Sequence, residues 1–242
     1  MKIHRPGRPE DLPDAGLLWA RWAAFAVATW NAEEEKERFR NGYWLGNSDS
    51  GGDSGGHRGS GNDLRYDDGA CSRWVLLRAD GGRAVLFGQD DSSRVARHEP
   101  PIDLLAGAPG WVRQELLLEL LERGRAECVY WFEDGSWQRA AYPDDLPDDG
   151  LDCGIGHLAS RDRAVDAMCA LLEFDDDCEG AVEACRELFE HAERGTVNEQ
   201  VVRSFADSVF RIQTEYELLW PEVPIARPES DLASMAALVG WR

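Results

Sequence analysis

Apolar positions along the chain follow two periods, and the change from one to the other divides it. Leu17, Leu18, Trp22 and Phe25 recur at helical spacing after Asp11, Pro13 and Asp14, so the first element is a helix with one apolar face. The next ordered signals are strands. Arg73-Trp-Val-Leu-Leu-Arg-Ala79 returns through Ala84-Val-Leu-Phe87 across Asp80-Gly81-Gly82. With Gly81-Gly82 as a two-residue loop, Asp80 stands opposite Arg83. A second hairpin runs from Cys128 to Glu133, turns at Asp134-Gly135, and returns from Ser136 to Tyr142. An Asp-Gly type I′ turn there pairs Phe132 with Trp137 and Tyr130 with Arg139. Between the hairpins, the leucine-rich stretch from Pro109 to Gly124 predicts a helix that covers one side of the sheet.

After Pro147 the period is helical throughout. Ala164, Val165, Met168, Leu171 and Leu172 mark one helix, and Val182, Cys185, Phe189 and Ala192 mark a second that stops at Gly195. Thr196-Val-Asn-Glu199 reads as a capping box for a third, with Val202, Phe205, Val209 and Ile212 facing inward. A fourth follows Pro228 through Leu232, Met235 and Leu238. Strands grouped together and helices grouped together give an α+β class. The expected organisation is an α+β part over 1–146 and a helical part over 147–242 packed on it. Residues 47–62, rich in Gly, Ser, Asp and Asn, are expected to form a flexible loop, because no apolar residue there offsets the entropy of ordering.

Charge changes the picture most. The formal net charge of -20 repels phosphate backbones and anionic lipid, and attracts basic proteins. Nucleic acid is therefore not an expected partner. A membrane partner is not expected either, because Arg21 interrupts the longest apolar run, Gly16 to Trp30, and Glu33 to Glu35 follow it at once. Acidic residues in place of basic ones before that run argue against an export signal, so a cytoplasmic setting is expected. Lys2 and Lys36 are the only lysines among 26 basic residues, a bias of the kind a GC-rich genome imposes. Several of the six cysteines sit in apolar patterns, the chain is long enough to need no disulfide, and the cysteines are expected to be reduced core thiols.

Candidate chemistry is sparse. No serine is set on an apparent strand-to-helix elbow, and no His-Glu-x-x-His, Cys-x-x-Cys or phosphate-loop motif occurs, so no catalytic residue, metal or cofactor is assigned. Cys153 and His157, four residues apart in a glycine-containing loop, are the one cysteine–histidine cluster and form an alternative site. The acidic clusters at 144–152 and 175–177 read as solvated faces or helix caps. Ten tryptophans exceed what a core of this size needs, and Trp and Tyr are favoured interface anchors. Tyr130, Trp131, Asp134 and Trp137 of the second hairpin are accordingly the candidate binding residues, with Trp131 and Trp137 on opposite sheet faces.

The hairpin segments Trp74 to Phe87 and Tyr130 to Tyr142 resemble uncharacterised single-domain proteins of GC-rich bacteria. By analogy they are also similar to SUKH-type immunity proteins. That resemblance implies an acidic α+β inhibitor of a toxin. The expected function is thus an acidic protein-binding module, an immunity or antitoxin-type inhibitor of a basic protein, rather than an enzyme. The alternatives are an enzyme whose site gathers scattered residues, and a subunit of a larger assembly.

Overall fold

The computed structural model describes residues 3–29, 42–45, 63–174 and 178–215. The expected loop at 47–62, the fourth helix after Pro228 and the acidic run at 175–177 lie outside them. The class is α+β. Two compact units divide the chain: Met1–Ala15 with Phe39–Ala159, and Gly16–Arg38 with Ser160–Arg242. This partition differs from the expected 1–146 and 147–242, since residues 147–159 stay with the sheet and most of the first helix joins the C-terminal helices.

The first unit is an antiparallel meander of six strands in sequence order. They are β1 (Gly42–Leu45), β2 (Asp63–Asp67), β3 (Arg73–Ala79), β4 (Arg83–Gln89), β5 (Cys128–Glu133) and β6 (Ser136–Gln138). β3 to β6 are the two expected hairpins. β1 and β2 are additional: Leu64 and Tyr66 alternate with polar residues, but over too few positions to signal a strand. The β5–β6 turn is as expected, with Asp134 at φ 52° and Gly135 at φ 78°, and Phe132 opposite Trp137. The ladder ends at Trp131 opposite Gln138, so Tyr130 and Arg139 do not pair within it. The β3–β4 loop is one residue longer than expected. Ala79 stands opposite Arg83, and Asp80 lies in the turn, where its carbonyl accepts from Arg83 Nε at 2.7 Å.

Both faces of the sheet are covered, which is why β5 is buried at successive positions instead of alternately. On one face, Val75, Val85, Phe87, Val129 and Trp131 pack with Leu104, Leu105, Val112 and Leu117. Leu117 belongs to α2 (Glu115–Glu122), which stops before Gly124 at φ 64° and covers the sheet as the leucine pattern predicts. The other face carries Trp74, Leu76, Leu86, Tyr130 and Phe132, all buried. The N-terminal segment and α3 (Leu151–Ile155) meet this face. A Cβ on Gly7 would lie 2.8 Å from the Tyr130 hydroxyl, and one on Gly154 would lie 2.1 Å from Trp74 Nε1. Trp137 Nε1 donates to the Pro13 carbonyl at 2.7 Å. Gly154 therefore serves close approach: the expected glycine loop at 151–157 is α3 followed by a 3-10 turn, Gly156–Ala159.

The second unit contains α1 (Ala15–Ala28) beyond its first residue, α4 (Arg161–Leu171), α5 (Glu179–Glu193) and α6 (Glu199–Glu215). α1 has more than the one expected apolar face, since every position from Leu18 to Ala28 is buried. Arg21 is buried with them at 7% exposure, and its Nε donates to Glu193 Oε1 at 2.7 Å. Arg161 completes the cluster, with Nε on Glu193 Oε2 at 3.0 Å and Nη1 on Glu190 at 3.1 Å. Burial raises the Glu193 carboxyl, but hydrogen bonds from Arg161 and Arg21 outweigh it and hold it below the usual carboxylate range. Ser160 caps α4 by accepting from the Arg163 amide. At α6 the expected Thr196–Glu199 capping box is replaced by a single N-cap two residues on: Asn198 accepts from the Val201 amide, while Thr196 bonds the end of α5 through His191. Leu171, expected on an inner face, is 41% exposed because α4 ends there.

Candidate functional site: an aspartate rim on the sheet unit

Strand register gathers aspartates at one end of the first unit. Asp67, Arg73 and Gln89 are cross-strand neighbours, so the turns after β2 and after β4 emerge side by side. Asp68 organises the first turn, its Oδ1 accepting from the amides of Ala70, Cys71 and Ser72, each at 2.9 Å. Asp90 organises the second, accepting from the Ser92 amide at 2.9 Å and hydroxyl at 2.6 Å. Gly150 then brings a third segment to the same end. At φ 87°, it passes so close to Asp90 that a Cβ would lie 3.0 Å from the aspartate Cβ. The adjoining Asp148 carbonyl accepts from the Arg94 amide at 3.0 Å. Asp152 thus joins Asp67, Asp68, Asp90 and Asp91 on the rim, with Asp148 buried beside them.

Tyr66 registers the resulting field. Its hydroxyl is pushed up to about 12, first by burial and then by Asp68, Asp90, Asp67 and Cys71. Cys71 is raised too, by desolvation and then by Asp91 and Asp68. Arginines offset part of the charge: Arg73 Nε bonds Asp67 at 2.8 Å, and Arg5 Nη2 bonds Asp152 at 2.9 Å.

The alternative site lies on this rim. Cys153 is exposed, and Arg5 Nη2 donates to its sulfur at 3.2 Å. His157 packs edge-on against Tyr66, with ring centroids 6.1 Å apart. Neighbouring turns of a helical run thereby give the two side chains different partners, a guanidinium and a phenol.

The expected binding hairpin is placed otherwise. Tyr130 is 0%, Trp131 3% and Trp137 6% exposed, so these aromatics fill the core, and only Asp134 of the four remains at the surface. The register does put Trp131 and Trp137 on opposite faces, but both faces are covered. Trp19, Trp22 and Trp74 are buried too, and half-buried Trp111 donates to Glu133 at 3.0 Å beneath the Arg83 guanidinium. The tryptophans with described side chains are therefore packing residues.

Asp149, read from sequence as part of a solvated acidic face, is instead fully buried. Its Oδ2 accepts from the Tyr130 hydroxyl at 2.9 Å and the Cys128 thiol at 3.5 Å, and its Oδ1 accepts from the Gly7 amide at 2.9 Å. Burial pushes the Tyr130 and Cys128 groups well up, which keeps both protonated as donors. Asp149 ties the N-terminal segment to β5 and to the loop that carries Asp148. No motif signals this role, because the Tyr130, Cys128 and Gly7 donors lie 19 or more residues away in sequence.

Among the described residues, no cluster of His, Cys, Asp and Glu is arranged to hold a metal ion. None of the described helices is long and apolar enough to cross a membrane. Comparison with known proteins finds no matching family, no matching curated protein and no matching solved structure.

Proposed function

We propose that the chain is an acidic protein-binding module that captures a basic protein partner in the cytoplasm, as an immunity or antitoxin-type inhibitor does. The observation that carries this reading is the aspartate rim, where separate turns place Asp67, Asp68, Asp90, Asp91 and Asp152 at one end of the sheet. A net charge of -20 adds long-range attraction for a cationic surface. The rim replaces the second hairpin as the docking surface, because the hairpin aromatics are buried.

The test is an affinity pull-down from host lysate with the folded full-length chain, washed at low and high salt and read by mass spectrometry. Enrichment of a basic protein that elutes with salt supports the reading. Association should then slow by at least about tenfold between low and physiological salt, with little change in dissociation. In Asp91→Arg the salt dependence should weaken. Salt-independent association, or a variant indistinguishable from the parent, removes the rim from the interface.

A second reading, an enzyme using Cys153, is favoured by the Arg5 guanidinium 3.2 Å from its exposed sulfur. Iodoacetamide labelling near pH 7 separates the two. Modification of Cys153 far faster than a model thiol supports the enzyme, and ordinary kinetics remove it.

A further inference from the structure

The helical unit holds a second feature, unrelated to the rim. Cys169, in the last turn of α4, and Cys185, near the middle of α5, face each other with sulfurs 3.8 Å apart. Both are buried, at 4% and 0% exposure, and neither is in a disulfide. Cys178, the residue before α5, is also buried and acts on Cys185 electrostatically. The sulfurs are in van der Waals contact, so a small side-chain rotation from each helix brings them to bonding distance.

We propose that Cys169 and Cys185 are an oxidative modification site, a dithiol that peroxide closes into a disulfide stapling α4 to α5. One thiol, as its thiolate, attacks a peroxide oxygen to give a sulfenic acid and release one water. The second sulfur then displaces the hydroxyl group as a second water, and the S–S bond forms. Overall, two S–H bonds and the O–O bond break. Each sulfur loses one electron, each peroxide oxygen gains one, and both thiol protons leave in water. The hydrogen bond with Cys169, together with burial, raises the Cys185 thiol, so little thiolate is present and closure is slow. Pairing favours Cys169–Cys185 over the links that involve Cys178, because those two sulfurs are already in contact across the helix interface. A staple there restricts the unfolded chain between the two residues and adds stability to the helical unit only.

The experiment exposes the full-length chain to hydrogen peroxide, alkylates the remaining thiols after unfolding, and digests it. Trypsin leaves Cys169, Cys178 and Cys185 on one fragment, Ala164 to Arg186. Added cleavage at Glu173, Glu179 and Glu183 separates them unless a disulfide intervenes. The expected product joins the Cys169 and Cys185 pieces, two hydrogens lighter, with Cys178 alkylated. The oxidised chain should melt about 5 °C or more above the reduced one, and the difference should vanish in Cys185→Ser and persist in Cys178→Ser. Links through Cys178, or three alkylated thiols after exposed Cys153 has already been oxidised, overturn the proposal. So does an unchanged Tm. The peptide readout uses the unmodified sequence and stands even if a serine variant fails to fold.

Discussion

The sheet unit and the helical unit bury polar groups in opposite ways. In the sheet unit, the Asp149 carboxylate meets neutral donors, the Tyr130 hydroxyl, the Cys128 thiol and the Gly7 amide. In the helical unit, Glu193 meets charged ones, the guanidinium groups of Arg21 and Arg161. Neutral donors around a carboxylate are a directional latch, because each must point at one oxygen. Guanidinium groups around a carboxylate form a charge cluster whose members are costly to leave alone, because a lone buried charge has lost its water. Both units anchor a distant segment with a single acid, and they differ in what remains when that acid is removed.

The largest effect should follow Glu193→Ala, which removes the carboxylate that both buried Arg21 and Arg161 bond. A loss of about 3–5 kcal/mol is expected in urea unfolding. A shift of under about 1 kcal/mol would mean that water or another partner takes the place of the Glu193 carboxylate. The paired change Arg21→Met with Glu193→Leu should recover most of it, since a packed apolar pair replaces the ions. Asp149→Ala should cost less, about 2–4 kcal/mol, because the donors left behind are neutral. Hydrogen exchange should place that loss in the amides of Gly7 and β5. An equal loss in α4 to α6 would contradict the separation of the units. Gly154→Ala comes next at about 1–3 kcal/mol, since the added methyl meets the Trp74 indole. Its effect should shrink in a Trp74→Phe background. Asn198→Ala, losing the N-cap of α6, should cost about 1 kcal/mol in the helical unit alone.

The smallest effect is a pH dependence of opposite sign in the two units. His98 presents Nδ1 to the Pro100 carbonyl at 2.9 Å and Nε2 to Asp145 at 3.0 Å. Both nitrogens can donate only in the imidazolium, so the Pro100 carbonyl and then Asp145 raise its pKa above 6.5. Its contribution is full below pH 6.5 and fades as pH rises through the raised value. Glu193, held low, contributes fully above its unfolded value near 4.5 and loses that as pH falls through its folded value. Exchange in the loop around Asp145 should therefore speed up on the alkaline side, and exchange in α5 on the acid side. An NMR titration of His98 that is unchanged by Asp145→Asn would remove the first half of this contrast.

Much of the fold was legible in short-range pattern. The β5–β6 turn follows from Asp134-Gly135, because a type I′ turn needs positive φ at both residues. Gly124 and Gly195 end their helices where the apolar period stops. The β3–β4 loop shows the limit of that reading: adjacent glycines accept either a two-residue or a three-residue turn, and only the pairing across the strands decides. The candidate site was less legible. Cys153 and the aspartates near it were visible as sequence neighbours. Their meeting with Arg5, Tyr66, Asp67, Asp68, Asp90 and Asp91 depends on strand order and on Gly150 passing Asp90.

The sequence by itself determined the α+β class, the two central hairpins, the helix stops and the strong negative charge. Each of these is encoded within a few residues or in composition. Tertiary structure alone decided that the hairpin tryptophans are core and that Asp149 is a buried latch. It also decided that Arg21, an interruption in an apolar run, is the partner of Glu193. Those outcomes depend on what covers each face of a strand or helix: Leu104 to Leu117 cover Trp131, while Pro13 reaches Trp137 and Gly7 reaches Asp149 from more than a hundred residues away.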